Sequence, residues 1–536
     1  MALTDAGKGV GLYDMTDDTT NRIDGTRATR TVAGTLANFL PNITDAARAA
    51  YNALFPNRLA LKQVHSQLNP EKDWGNDTLG AARYALWALN DKFGSAASAV
   101  PFKSENTMII GGSVSNGGAA VINAGEKDAG GLIDGIVAGE PVTEMPTVQG
   151  YGVRFAGQQV PGYGKVLADY VTFGNIYQPC AALAAPAALT ELTFFNFIGI
   201  GGMTARATAR CDSLAAKGLV GGADTAARSL DALNKLRNYG WGTEHDAMHN
   251  AHYSLGNGPI LAAMYPWSYG RFSATDNVCN TSFAAVDATG SPVAMNAADK
   301  AKSFATANGT ANGGQASAGQ LAGVVYNDSF GGAKLWAVAV SPSTGVADFG
   351  LDNALCQRAL VMGNDAVTGA ALTENSFPKK SQSDAVRAGI AEVLLNGNLR
   401  GKPTLIVAGR SDALVPVNNN ARAYVALNQV VESAASKVRY VEVTNAQHFD
   451  TFNSLSGFDT RFVPLHVYFN RAMDAMYAHL KSGTALPPSQ VVRTTPRGGT
   501  GGLAPTIAAT NVPAISTAPA AADQITFSGT SIAVPQ

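Results

Sequence analysis

Residues 106–127 read NTMIIGGSVSNGGAAVINAGEK, and the fold turns on how that stretch is read. The apolar run TMII leads into glycine and serine, and AAVINAG then has the composition of a helix. A buried strand that turns sharply into a helix needs small residues on both sides of the turn. Here Ser113 lies two residues before Ser115, and Gly117 lies two after it. In such an elbow the central serine presents its hydroxyl at the end of the sheet, and the N–H of the next residue, Asn116, points toward the same spot. The positive end of the helix adds to that field. Ser113 occupies a position where glycine is usual, which is tolerable if the helix can still approach the strand. A glycine-rich strand-to-helix turn without chemistry has much the same composition, so the rest of the chain has to decide.

Downstream, LIDGIVAGEP (132–141) reads as a second buried strand ended by Pro141. Strand, helix and strand in this order predict a parallel unit. Upstream, a helix is expected near Asp45 to Ala53, and residues 78–93 carry apolar positions at helical spacing with Thr78 as the cap. Residues 142–401 break the rhythm with helices such as ADTAARSLDALNKLRNYG and loops such as ATANGTANGGQASAGQ, and read as an inserted domain. The rhythm returns with a helix at 383–397, a strand at 404–409 (TLIVAG), a helix at 421–435, a strand at 438–444 (VRYVEVT) and a helix at 461–480. From 486 the chain is rich in Pro, Thr, Gly and Ala, and its end, DQITFSGTSIAVPQ, predicts a hairpin about Ser-Gly. The expected division is therefore 1–141 and 402–485 as the two parts of a core, 142–401 as an insertion, and 486–536 as a tail.

Composition narrows the functional classes. The 536 residues carry 39 Lys+Arg against 40 Asp+Glu, which argues against a nucleic-acid binder. No run of about 20 apolar residues predicts a membrane span. The nearest approach, 183–202, is broken by Pro186, Glu191 and Asn196 and reads as a buried helix of the lid or core. The start, MALTDAGKGVG, has no apolar segment of the kind a secretory leader needs. Cys180, Cys211, Cys279 and Cys356 are widely spaced, so a cysteine metal site is not expected; two disulfides or four buried thiols both fit.

A serine hydroxyl needs a base to act as a nucleophile near neutral pH. In α/β-hydrolases the partners follow in the chain order serine, acid, histidine. After TLIVAG comes RSDALVP with Asp412, and after VRYVEVT comes NAQHFDTF with His448. Both lie past the carboxyl ends of buried strands, where open α/β sheets place their sites. Ser115, Asp412 and His448 are the expected catalytic residues, with the Asn116 N–H in the oxyanion hole. Asp450 and Asp134 are the rival acids. His245, His249 and His252 fall at i, i+4 and i+7, a spacing open to a metal but read here as a polar or substrate-facing lid helix. The aromatic run MYPWSYGRF (264–272) is either pocket lining or insertion core.

TNRIDGTRATRT, LKQVHSQLNPEKDWGNDTLGAARYAL, SVSNGGAA, GLIDGIVAGEP, HDAMHNAHYSLGNGPILAAMYPWSYGRF, QVVRTTPRGGT and the closing VPQ together resemble the D-(-)-3-hydroxybutyrate oligomer hydrolases over almost the whole chain. The resemblance implies an α/β fold, with an α/β-hydrolase core of mainly parallel sheet and a large inserted lid domain. It implies hydrolysis of soluble 3-hydroxybutyrate oligomers and dimers to monomer, with the nucleophile in SVSNG, no metal and no organic cofactor, and an exported protein, secreted or periplasmic. The expected partner is a small-molecule oligoester, with no nucleic acid and no membrane. Members of that family are expected to carry a leader and a longer segment upstream of ALTDAGKG, holding the first sheet strands and the second oxyanion donor. The sheet here is accordingly expected to lack its N-terminal strands, and loss of one such donor lowers turnover about 10²–10³-fold. An esterase for another ester (tannase-like or feruloyl-ester) and a catalytically impaired remnant are the alternative readings.

Overall fold

The computed structural model describes residues 43–61, 64–96, 98–146, 150–189, 196–254, 256–296 and 322–536, together with the backbone of short strands at 12–14, 28–30 and 36–38. The loop expected at 305–320 lies outside the described residues, as does the middle of the stretch 183–202; the described parts of that stretch are mostly turns rather than the expected helix.

Five strands form an all-parallel sheet whose spatial order follows the chain: Ile110–Val114, Gly135–Gly139, Thr404–Gly409, Val438–Val443 and Gln490–Val492. The structure is thus mixed α/β. The apolar runs at 135–139 and 404–409 are buried throughout, as strands covered on both faces must be. One face receives the helix His466–Ser482. Glycine on the strands makes that approach possible: a Cβ on Gly112 would stand 2.8 Å from Met473 Sδ, and one on Gly139 3.1 Å from Phe469. The other face packs against the helices Asn116–Lys127 and Ala421–Glu432, with Ile122, Ile136, Ile406 and Tyr424 in one cluster.

The second helix of the sequence reading begins earlier than expected, at Trp74 rather than Thr78, and Thr78 Oγ1 bonds the Trp74 carbonyl inside the first turn. The final helix begins at His466, just after Pro464, where Asp450 accepts the Leu465 and His466 N–H groups. Residues 486–536 contribute the fifth parallel strand. The terminal strands Thr526–Ser528 and Ser531–Val534 form an antiparallel hairpin, and the last strand runs parallel to Gly152–Phe155.

Between the second and third parallel strands lies a largely helical stretch with its own core, including Trp241, Tyr253, Trp267 and Tyr269. That core continues into Tyr51 and Trp74 from upstream and into Ala413 and Val415 beside the third strand. A separate antiparallel sheet joins Leu59–Leu61 to Thr281–Val286 and Ala322–Tyr326. Two disulfides, Cys180–Cys211 and Cys279–Cys356, use all four cysteines within this region. Among the described residues no helix is long and apolar enough to cross a membrane.

Candidate active site

Ser115 caps the helix Asn116–Lys127 with φ 55° and ψ −123°, a conformation that a residue bearing a Cβ adopts only under strain. Three backbone bonds hold it there: Ser115 N–H to the Gly139 carbonyl at 2.9 Å, and the Ser115 carbonyl accepting from Ala119 at 3.1 Å and Val142 at 3.2 Å. Close approach of this helix to the second strand depends on Gly118, whose absent Cβ would lie 2.8 Å from the Gly139 carbonyl oxygen. Gly118, three residues after Ser115, is therefore one of the small residues that the elbow needs. Ser113, in the usual glycine position, is accommodated as a buried side chain.

His448 lies in the turn after Val438–Val443. Its Nε2 is 3.0 Å from Ser115 Oγ and its Nδ1 is 2.6 Å from Asp412 Oδ2. Asp412 is fully buried, and its other oxygen accepts the N–H groups of Leu414 and Val415 at 3.0 and 2.8 Å. Those bonds fix the carboxylate, which in turn fixes the imidazole. Burial alone would lower the His448 pKa, but the charge and hydrogen bond of Asp412, helped by Glu140, outweigh it and hold it above its ordinary value. The Phe449 ring stands edge-on to the imidazole, with 4.7 Å between centroids.

The structure thus brings together Ser115, His448 and Asp412, three residues far apart in the chain. Asn116 follows as the first helical residue, where an N–H has no intrahelical acceptor. Its side-chain oxygen accepts from Tyr265 at 3.0 Å, so the aromatic run of the insertion reaches the elbow. The rival acids go elsewhere. Asp450 is engaged at the start of the final helix. Asp134 precedes the strand at 135–139 instead of lying within it, and bonds the Ile109 N–H at 2.7 Å, at the opposite end of the sheet.

Two residues near the site escaped the sequence reading. Glu140 is buried at the carboxyl end of its strand, with φ 29°, and its Oε1 meets His466 Nε2 at 2.6 Å. Burial raises the Glu140 pKa, while the hydrogen bond to Glu140 raises that of His466. The available signal was positional, since Glu140 follows a buried strand just as Asp412 does.

His245, His249 and His252 do not share one helix. His245 ends a short 3-10 turn, whereas His249 and His252 lie on Met248–Ser254. Among the described residues no group of three or more His, Cys, Asp or Glu side chains is arranged to hold a metal ion.

A family model described as 3HB-oligomer hydrolase matches residues 1–536. The chain belongs to the 3HB-oligomer hydrolase family. It is 45% identical over 535 residues to the D-(-)-3-hydroxybutyrate oligomer hydrolase of Ralstonia pickettii, covering 98% of this chain and 69% of that protein. The enzyme of the same name from Polaromonas sp. strain JS666 is 44% identical over 544 residues, covering 100% and 73%. That from Cupriavidus metallidurans is 41% identical over 547 residues, covering 100% and 71%. No solved structure matches the chain. As a member of the 3HB-oligomer hydrolase family, the chain is a hydrolase.

Proposed function

We propose that this hydrolase is a serine esterase that cleaves short 3-hydroxybutyrate oligomers and dimers to the monomer, a step in poly(3-hydroxybutyrate) breakdown. The observation that carries the mechanism is the hydrogen-bonded line from Ser115 Oγ through His448 to Asp412 Oδ2, 3.0 and 2.6 Å long. Ser115 Oγ attacks the ester carbonyl while His448 Nε2 takes its proton. Asp412 holds Nδ1 protonated and stabilises the imidazolium. The Asn116 N–H, at the positive end of its helix, stabilises the oxyanion. The imidazolium then protonates the leaving hydroxyl group. Water, deprotonated by the same histidine, releases the acyl group from Ser115.

The fold reading that accompanies this mechanism is an α/β-hydrolase core, 1–141 with 402–485, covered by a lid domain at 142–401. The order nucleophile, acid, histidine along successive parallel strands supports it. The bond from Tyr265 to Asn116 supports a lid that closes over the site. Export to the periplasm or medium is part of the proposal, supported by two disulfides, which persist in oxidising compartments.

Release of 3-hydroxybutyrate from its linear dimer and trimer tests the reading, compared between the native chain and Ser115→Ala. The substitution is expected to lower turnover about 10⁵–10⁶-fold, the scale seen when a nucleophilic serine is removed. A folded Ser115→Ala protein with undiminished release would overturn the nucleophile. A native chain that cleaves other esters and leaves the dimer and trimer intact would overturn the substrate.

A further inference from the structure

Glu140 continues the backbone that holds the nucleophile. It follows Gly139, whose carbonyl takes the Ser115 N–H, and lies two residues before Val142, whose N–H donates to the Ser115 carbonyl. Its own N–H donates to the Val407 carbonyl on the third strand at 2.6 Å. Its side chain is 1% exposed, and its φ of 29° is one that a residue with a Cβ keeps only when its surroundings hold it. A carboxylate taken out of water needs a partner. Glu140 has one in His466, whose Nε2 stands 2.6 Å from Oε1.

On its other side His466 Nδ1 stands 3.3 Å from Asp450 Oδ2. Asp450 opens the 3-10 turn Asp450–Ser454, two residues beyond His448. Its oxygens also accept from the backbone N–H groups of Leu465 and His466 at 2.7 and 2.8 Å, which fixes it to the start of the final helix. Ionised carboxylates only accept, and an imidazolium donates from both ring nitrogens, so a charged His466 serves both carboxylates at once. A continuous bridge therefore runs from the end of Gly135–Gly139 to the loop that bears the base.

We propose that Glu140 and His466 are positioning residues for the esterase: the Glu140–His466–Asp450 bridge fastens the loop of His448 to the backbone that holds Ser115. The need for such a fastening follows from the sheet. Two strands separate the one that ends at Ser115 from the one that leads to His448, so loops alone set the 3.0 Å contact between Oγ and Nε2. A displacement of about 1 Å there is enough to cost about 10²-fold in rate. Glu140 also places a second negative charge near the base. His448 feels Asp412 most, then Glu140, with a smaller opposing effect from His466. Glu140 itself faces His466, His448 and Asp412, and His466 faces Glu140 and Asp450. The proposal rests on the serine-esterase reading above and adds to it residues that never touch the substrate.

The test measures kcat and KM against pH for the 3-hydroxybutyrate trimer and for p-nitrophenyl acetate, in the native chain, Ser115→Ala, His466→Phe, His466→Gln and Glu140→Gln. His466→Phe removes both contacts at a side chain that is 37% exposed. It is expected to lower kcat about 10–100-fold on both substrates with KM nearly unchanged. His466→Gln keeps an N–H for Glu140 and is expected to regain most of that loss. Glu140→Gln keeps an oxygen that accepts from His466 and removes only the charge. The pH midpoint of its kcat/KM is expected to fall below the native one, because Glu140 no longer favours the imidazolium. A glutamate that only held the backbone in place would leave the midpoint unmoved. Should Glu140→Gln not fold, the two His466 variants carry the test. Native kcat in His466→Phe overturns the bridge, as does a loss that His466→Gln fails to regain or an unmoved midpoint in Glu140→Gln. Turnover that survives in Ser115→Ala, or a native chain that cleaves neither ester, overturns the esterase reading and the bridge with it. A native chain that cleaves p-nitrophenyl acetate and not the trimer overturns the oligoester reading alone, and the acetate rates still decide the bridge.

Discussion

Two buried polar clusters flank the loop that follows Thr404–Gly409, and they are built on opposite terms. Around Glu442 every oxygen is satisfied. Its carboxylate accepts from Arg410 Nε at 2.6 Å, from Arg422 Nη2 and Nε at 2.7 and 2.8 Å, and from the Tyr440 hydroxyl at 2.7 Å. Arg410 reaches on to the Pro535 carbonyl, Arg422 to Asn418, and both guanidinium groups lie over the Phe155 ring. The cluster thereby ties two parallel strands, a helix, the strand at 152–155 and the chain end to one another. On the insertion side, burial holds His245, His249 and His252 below their ordinary pKa, and their Nε2 atoms have no hydrogen-bond partner within the chain. A charge buried in a folded chain has to be fully paired, so the Glu442 cluster has nothing left to offer a ligand. Neutral polar groups can remain without a partner in the chain at smaller cost than a charge.

The largest expected effect lies on the Asp412–His448 line. Asp412→Asn should lower turnover about 10⁴-fold with little change in folding, because the imidazole loses its orienting partner and its stabilising charge. The pH dependence sharpens this. In the native chain kcat/KM should rise with pH as His448 deprotonates, with a midpoint above the ordinary 6.5 of histidine. Removing the Asp412 charge leaves burial to dominate, so the midpoint of Asp412→Asn should move to lower pH. A midpoint that stays in place would mean that Asp412 does not set the base.

Glu442→Gln should do the reverse. It leaves two buried guanidinium groups without their carboxylate and is expected to cost about 3–5 kcal/mol of stability in denaturant unfolding, with little change in rate per folded molecule. Burial alone would raise the Glu442 pKa, but Arg422 and Arg410 outweigh it and hold the carboxyl well below its ordinary 4.5. For a depressed carboxylate, the stabilisation is present above the unfolded-state value and is lost as pH falls below it. Acid unfolding of the native chain should therefore contain a contribution below about pH 4.5 that Glu442→Gln abolishes. A Glu442→Gln chain of native stability and reduced turnover would break the contrast between the clusters.

The smallest effect is expected at Gly118→Ala. Its Cβ would meet the Gly139 carbonyl at 2.8 Å and Pro141 at 3.1 Å. Pushing the helix off the strand should cost about 1–3 kcal/mol in thermal unfolding. It should also misplace Ser115 enough to lower the rate about 10²-fold in the dimer assay.

The strands at 404–409 and 438–443 were legible because a strand buried on both faces is a continuous apolar run, and the turn residues beyond such runs are few enough to name. Asp412 and His448 could be chosen for that reason. The choice of Asp412 over Asp450 was less legible: Asp450 is nearer in sequence, but it binds the start of the final helix, which depends on where that helix docks. The regular spacing of His245, His249 and His252 predicts one helix, whereas the chain turns between His245 and His249, a turn that depends on how the insertion packs. Glu140 was invisible because its partner His466 lies 326 residues away, and the Glu442 cluster because Arg410 and Arg422 reach it only once the loop after one strand and a helix pack beside the next strand.

By itself the sequence determined the order of buried strands, the elbow at Ser115 and the chain order of serine, acid and histidine. These depend on local composition and on the rule that parallel strands present their loops at one edge. Only the tertiary structure decided which cysteines pair, which carboxylate reaches His448, which buried charges are satisfied and which histidine nitrogens are left open. Those outcomes are set by distances of a few ångströms between residues remote in the chain, and no periodicity or local propensity encodes them.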